Sequence, residues 1–349
     1  MAATTLLVLS ACNPVYVVRA GWGQAQILSA REPLTRVITD PATDRDTRDR
    51  LRFVHDARRF AIEELGFRNA GDAYTSYAEL PSDTLALVLS AARRDRLEAH
   101  TWWFPITGRV PYRAWFTVEG AERARDQMEA EGFDTFLRAT PAFSTLGWFA
   151  DPVYSTMLRQ DVVGVVETVL HELAHNHLFI PGRGRFNESW ATFAGHAAAA
   201  RFFCEREGGA PDSVLCRRAE ARWRDARRVS RFLMALEEEV RALYATMEPG
   251  PALETSRRSA YEAARDRFVE EVQPELEATR YEVFAREPLN NATLLARTLY
   301  FHRLDDFDRL LYERFEGDLR GLLAWIREEA PRSDDPFTVL DLPGRGGGP

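Results

Sequence analysis

Residues 161–178 constrain this chain most. Val162-Val163-Gly164-Val165-Val166-Glu167-Thr168-Val169-Leu170 is apolar almost throughout and runs without a breaker into His171-Glu172-Leu173-Ala174-His175. A run of this length and character reads as a buried helix. Burying a helix that carries His, Glu and His is costly unless those groups are satisfied. Histidines four residues apart stand one above the other on a helix face, so their rings can converge on one ion. Two nitrogen donors with a carboxylate beside the first make the start of a zinc site. The competing reading, solvent-facing His and Glu on an ordinary helix, fits the apolar context poorly.

Catalytic zinc takes three protein ligands and keeps a position for water. Glu188 lies thirteen residues after His175, at the start of the next helix-like run, beyond a turn built on Pro181, Gly182 and Gly184. That turn brings the second helix back antiparallel, so Glu188 is expected to face the histidine pair. The alternative is that Asn187 caps the helix and Glu188 complements its dipole. His177 and His196 are rival donors, though His177 points off the ligand face and His196 sits two turns further along. Glu172 is expected to reach the water rather than the ion, and to pass its proton to a leaving amine. An oxyanion in the transition state calls for a further donor. Tyr300 is the first candidate and Tyr154 the second, with core packing the competing role for each. Glu167, one turn before His171, is a candidate to orient that ring.

The net charge of −8 argues against a general nucleic-acid binder, and all 45 basic residues are arginine. With 45% hydrophobic residues the composition is that of a globular protein. Leu6 to Ala11 is a short apolar run leading to Cys12, as in a secretory signal with a lipidated cysteine. No basic residue precedes it, which leaves open a start upstream of Met1. No stretch approaches the length of a spanning helix, so any membrane link is expected through lipid on Cys12. In an exported chain, Cys204 and Cys216 form a disulfide or remain buried thiols, and the sequence favours neither.

Apolar positions such as Leu51, Val54 and Phe60 suggest helix over 20–70. Residues 84–89, 114–118 and 135–139 have strand character, with a helix over 119–131 ended by Gly132. After 160 the pattern is helical: 161–178, 187–206, a charged stretch 212–247, then 252–285, 291–300 and 305–329. The expected fold is α+β and predominantly helical, with a small mixed sheet. Its expected division is a signal in 1–12, one domain over 13–335 that is mixed to about 160 and helical after it, and a disordered tail in 336–349.

Several segments resemble one family, the bacterial zinc aminopeptidases that are exported and carry a thermolysin-like motif. They are 103–108, 111–116, 144–149, Asp151-Pro152, 155–158, His171 to His175, 186–189, 191–193 and 290–292, and the resemblance reaches to about residue 325. It implies a zincin fold, the cell envelope facing the periplasm, one Zn2+ held by His171, His175 and Glu188, and Glu172 as base. Asn187-Glu188 is similar to the Asn-Glu pair on the ligand helix of thermolysin-like enzymes. The 175–188 gap is shorter than in well-studied branches. Thr192 stands where those enzymes place an aspartate that orients a ligand histidine, so Thr192 or Glu167 is expected in that role.

An aminopeptidase also needs an acid for the substrate's amino group. The edge segment 141–149, with Ser144, Thr145, Leu146 and Gly147, is expected to bind extended peptide by strand addition but contains no acid, which leaves Asp151. A zinc-binding protein of the envelope without activity, and a structural lipoprotein working through 212–285, are the competing functions. The sequence does not define an oligomeric state.

Overall fold

The computed structural model describes residues 31–80, 84–104, 108–140, 150–206 and 210–341. Cys12 and its leader, the segment 141–149 with Ser144, Thr145, Leu146 and Gly147, and the residues beyond Asp341 lie outside the described residues. In chain order, β1 (Glu32–Pro33), α1 (Leu34–Thr39) and α2 (Arg45–Glu63) lead to β2 (Ser76–Ala78). Next come β3 (Ala86–Arg93), β4 (Trp102–Phe104), β5 (Gly108–Val110), β6 (Tyr112–Trp115), α3 (Val118–Ala130) and β7 (Phe133–Thr140). The short β8 (Val153–Tyr154) precedes α4 (Val162–His177), α5 (Gly184–Glu205), α6 (Val214–Thr246) and α7 (Pro251–Arg267). The last helices are α8 (Val283–Arg286), α9 (Asn291–Thr298), α10 (Leu304–Glu313) and α11 (Leu319–Glu329).

The chain is thus α+β and mostly helical, but among the described residues the strands form three small sheets rather than one. The mixed sheet is short: β2 pairs antiparallel with β1 and parallel with β8. β4 and β5 make a hairpin. The larger sheet, in the order β6-β3-β7, is antiparallel, with Val88 opposite Ala114 and Arg138, and Ser90 opposite Tyr112 and Phe136. Side chains alternate along a strand, so Tyr112, Phe136 and Arg138 share one face. Leu89, Leu137 and Trp115 occupy the other and pack on Met128 and Ala124 of α3. α9 covers the first face. Asn290 donates from Nδ2 to the Thr135 carbonyl (3.0 Å), the Asn291 amide donates to Asp134 (3.0 Å), and Arg297 lies 5.4 Å from the Phe136 ring.

The main core joins α2, α4, α5, α10, α11 and the first turns of α6. Asp161 caps α4, accepting from the amides of Val163 and Gly164. Val163, Val165, Val166, Val169 and Leu170 are fully buried, which is why this helix lacks a polar face. α4 and α5 meet backbone to backbone at Gly195. A Cβ there would lie 2.9 Å from the Glu167 carbonyl oxygen and 3.0 Å from the His171 nitrogen. Neither atom can yield without moving a helix, so Gly195→Ala is expected to cost about 1–3 kcal/mol by overpacking. Denaturant unfolding checks this, and a midpoint equal to that of the unsubstituted chain would rule it out.

Cys204 and Cys216 form a disulfide joining the end of α5 to the first turn of α6, with Cα atoms 4.8 Å apart. The expected helix over 252–285 ends at Arg267, continuing as a π turn to Val272 and a 3₁₀ turn to Glu275. Pro274 removes a helical donor, and the buried Asp225 carboxylate takes the amides of Glu277, Ala278 and Thr279. One face of the 212–285 segment is buried: Leu233, Leu236, Val240, Tyr261 and Phe268 build a second core with Phe284 and Leu294. The helix expected over 305–329 is two helices, broken at Glu316 and Gly317, which both adopt positive φ. The disordered tail expected from 336 is corrected over the residues up to Asp341. Pro336–Asp341 is a 3₁₀ helix with Phe337, Val339 and Leu340 buried against the main core.

Candidate metal centre and active site

α4 and α5 bring His171, His175 and Glu188 together. The His171 and His175 Nε2 atoms each lie 3.4 Å from one Glu188 oxygen, and three donor atoms of the group fall within 4.8 Å of one another. Two donors about 2.1 Å from a tetrahedral ion are separated by about 3.4 Å, the spacing that both histidine–Glu188 pairs show. The two imidazoles meet edge to face at 4.9 Å. Burial works against the charge of Glu188, but His175 and His171 outweigh it and hold this carboxyl well below the usual range. No other three His, Cys or carboxylate groups among the described residues converge, except Cys204, Cys216 and exposed Glu220, where the disulfide occupies both sulfurs.

The loop between the helices is fastened by Asn187. Its Oδ1 accepts from the Ile180 amide at 3.0 Å, and its Nδ2 donates to the Ile180 carbonyl at 2.8 Å. The preceding turn runs through Gly182 at φ +76°, a conformation that glycine tolerates best. Asn187→Ala would leave the part-buried Ile180 amide without this partner and its carbonyl with the Arg183 amide alone, at about 1–3 kcal/mol. A lowered unfolding midpoint checks this; an unchanged one would mean the loop is held elsewhere.

Ser189, beside Glu188, fixes the opposite wall. Its hydroxyl donates to the Leu299 carbonyl at 3.0 Å and accepts from the His302 amide at 3.1 Å. Tyr300 sits between these anchors, its ring stacked on His171 with centroids 6.1 Å apart. Burial, together with the Glu188 and Glu172 carboxylates, pushes the phenol well above its ordinary value of about 10 despite Arg138 nearby. Tyr300 is therefore a protonated donor at neutral pH. Glu172 makes no side-chain hydrogen bond or ion pair among the described residues, and its charge acts on Tyr74, Tyr112, His175 and Tyr300. Two residues that the sequence did not single out complete this wall, Tyr112 from β6 and Arg138 from β7. Burial and Glu188 raise the Tyr112 phenol as well.

Other expected site residues lie elsewhere. Glu167 does not orient His171: its two oxygens are taken by His196 Nδ1 (3.0 Å) and Arg222 Nε (2.6 Å). The same contact places His196 outside the donor cluster. His177 Nδ1 accepts from the Arg68 amide at 3.0 Å, and burial lowers its pKa to about 4, so it is a neutral packing group. Thr192 is buried and makes no hydrogen bond to a ligand histidine among the described residues, and His175 Nδ1 has no partner. The position of Thr192 on α5 thus gives it no orienting contact. Tyr154 is 1% exposed and packs within the main core. Asp151 is 2% exposed, and its backbone carbonyl accepts from the Tyr74 amide.

Fold and cluster together define a mostly helical α+β protein with a two-histidine, one-carboxylate donor set and, beside it, a glutamate uncommitted among the described residues. The chain belongs to the family described as "Putative aminopeptidase", which matches residues 15–334. That membership suggests a peptide hydrolase. Comparison with curated proteins and with solved structures gives no significant match.

Proposed function

We propose that this chain is a single-zinc aminopeptidase with a zincin-type site. The observation that carries the reading is the placement of two histidine Nε2 atoms 3.4 Å from one Glu188 oxygen, in a member of an aminopeptidase family. His171, His175 and Glu188 hold the ion. When bound, zinc supplies Lewis acidity, which makes a water more acidic and polarises the scissile carbonyl. Glu172 takes a proton from the attacking water and returns it to the leaving amine, a role its uncommitted carboxylate suits. Tyr300 donates a hydrogen bond from its phenol to the oxygen that gains charge, keeping its proton. Asn187 and Ser189 keep the second ligand helix and the Tyr300 segment in register.

Export and a lipid anchor on Cys12 at the periplasmic face of the envelope are part of the same proposal. The Cys204–Cys216 disulfide supports an oxidising compartment. No helix among the described residues is long and apolar enough to cross a membrane. Peptide is the proposed partner, with no role for nucleic acid.

A panel of aminoacyl arylamides, run beside internally quenched peptides with added zinc, tests the reading. The expected result is release of the arylamine, abolished by a chelator and restored by zinc. Cleavage of the quenched peptides alone would replace aminopeptidase by endopeptidase. Turnover that survives the chelator with no metal bound would exclude the metal.

A further inference from the structure

Arg138 reaches the cleft wall from the sheet face that α9 covers. Among the described residues no carboxylate lies within ion-pair distance of it. Its Nη2 instead donates to the Tyr300 phenol oxygen at 3.1 Å, with the guanidinium carbon 5.5 Å from the ring centroid. A guanidinium has donors only, so the phenol oxygen is the acceptor in this contact. The phenol has one proton, and that proton must point away from Arg138. On its other sides Tyr300 meets the stacked His171 ring and the charges of Glu188 and Glu172.

We propose that Arg138 is a positioning residue for Tyr300, filling the acceptor side of the phenol so that its O–H is directed into the His171–Glu188 cleft. The inference rests on the reading of Tyr300 as the donor to the developing oxyanion. A charged donor also polarises the O–H, and hydrogen bonds of this kind are roughly twice as strong as neutral ones. The strand register, with Arg138 opposite Val88 and Tyr112 opposite Ser90, fixes where the guanidinium emerges. Without Arg138 the phenol is free to turn its proton out of the cleft.

The test uses the full-length chain, its Tyr300→Phe, Arg138→Gln and Arg138→Lys variants, and the Tyr300→Phe/Arg138→Gln double variant, each loaded with zinc and assayed on the arylamide cleaved fastest. Tyr300→Phe is expected to lower kcat about 100-fold. Arg138→Gln is expected to lower kcat about tenfold with KM within about twofold, and Arg138→Lys to recover part of the loss. The double variant is expected to be no slower than Tyr300→Phe, to within about twofold, because Arg138 then has no phenol to act on. Losses that multiply in the double variant, or a raised KM at unchanged kcat in Arg138→Gln, would overturn the proposal. Full activity in Tyr300→Phe would overturn the Tyr300 reading and this one with it. A second readout needs neither metal nor turnover. In protein labelled with ¹³C at tyrosine Cζ, the resonance lost in Tyr300→Phe identifies Tyr300. That resonance should shift in Arg138→Gln while the others stay, and an unmoved resonance would overturn the proposal.

Discussion

Glu172→Gln is expected to remove hydrolysis by about 1,000-fold or more while leaving the metal in place. A positioned general base contributes roughly 10²–10⁴-fold, and glutamine keeps the size of the side chain while losing its capacity to accept a proton. Retention of the ion follows from the geometry. The two imidazoles and Glu188 converge without Glu172, whose carboxylate is uncommitted among the described residues. The pair of readouts makes the prediction specific. Activity and zinc lost together would make Glu172 a ligand. Activity retained would mean that another group takes the proton.

Glu188→Ala is expected to show the opposite order, with zinc lost first and activity as a consequence. Supporting groups around a metal site already cost 10–100-fold in affinity when removed, so a ligand should cost at least about 100-fold. The same carboxylate bridges both histidines, so its loss also leaves two imidazoles facing each other 4.9 Å apart. Glu188→Gln, which keeps an oxygen donor without the charge, should fall between. Competition with a chromogenic chelator measures the affinities, and circular dichroism shows that the helices persist. Unchanged affinity in Glu188→Ala would exclude the proposed ligand set.

The centre of the site was legible because it is local. Helical periodicity alone stacks His171 on His175, and a tight turn returns Glu188 to them. Tyr300 was a candidate by residue type, but its position depends on Ser189 gripping the 299–302 segment across 110 residues. Arg138 and Tyr112 were invisible for a related reason. Strand alternation shows that Phe136 and Arg138 share a face, but only the β6-β3-β7 register and the packing of α9 show that this face borders the cleft.

The misplaced residues follow the same pattern. Glu167 stands one turn from His171, as an orienting residue should, yet His196 and Arg222 on neighbouring helices hold its carboxylate. Asp225 ends the helix expected through 285 from more than 50 residues away, by competing for the amides of 277–279. Phe337, Val339 and Leu340 carried an apolar signal in a stretch rich in Pro, Ser and Asp, and the core they bury against is formed by distant helices.

Elemental analysis of the full-length chain, purified without chelator and dialysed against metal-free buffer, puts the metal reading at most direct risk. One zinc per chain is expected, falling to near zero in a His171→Ala/His175→Ala variant that still folds. A folded, unsubstituted protein that holds no stoichiometric metal, and takes up none when zinc is added, would contradict it.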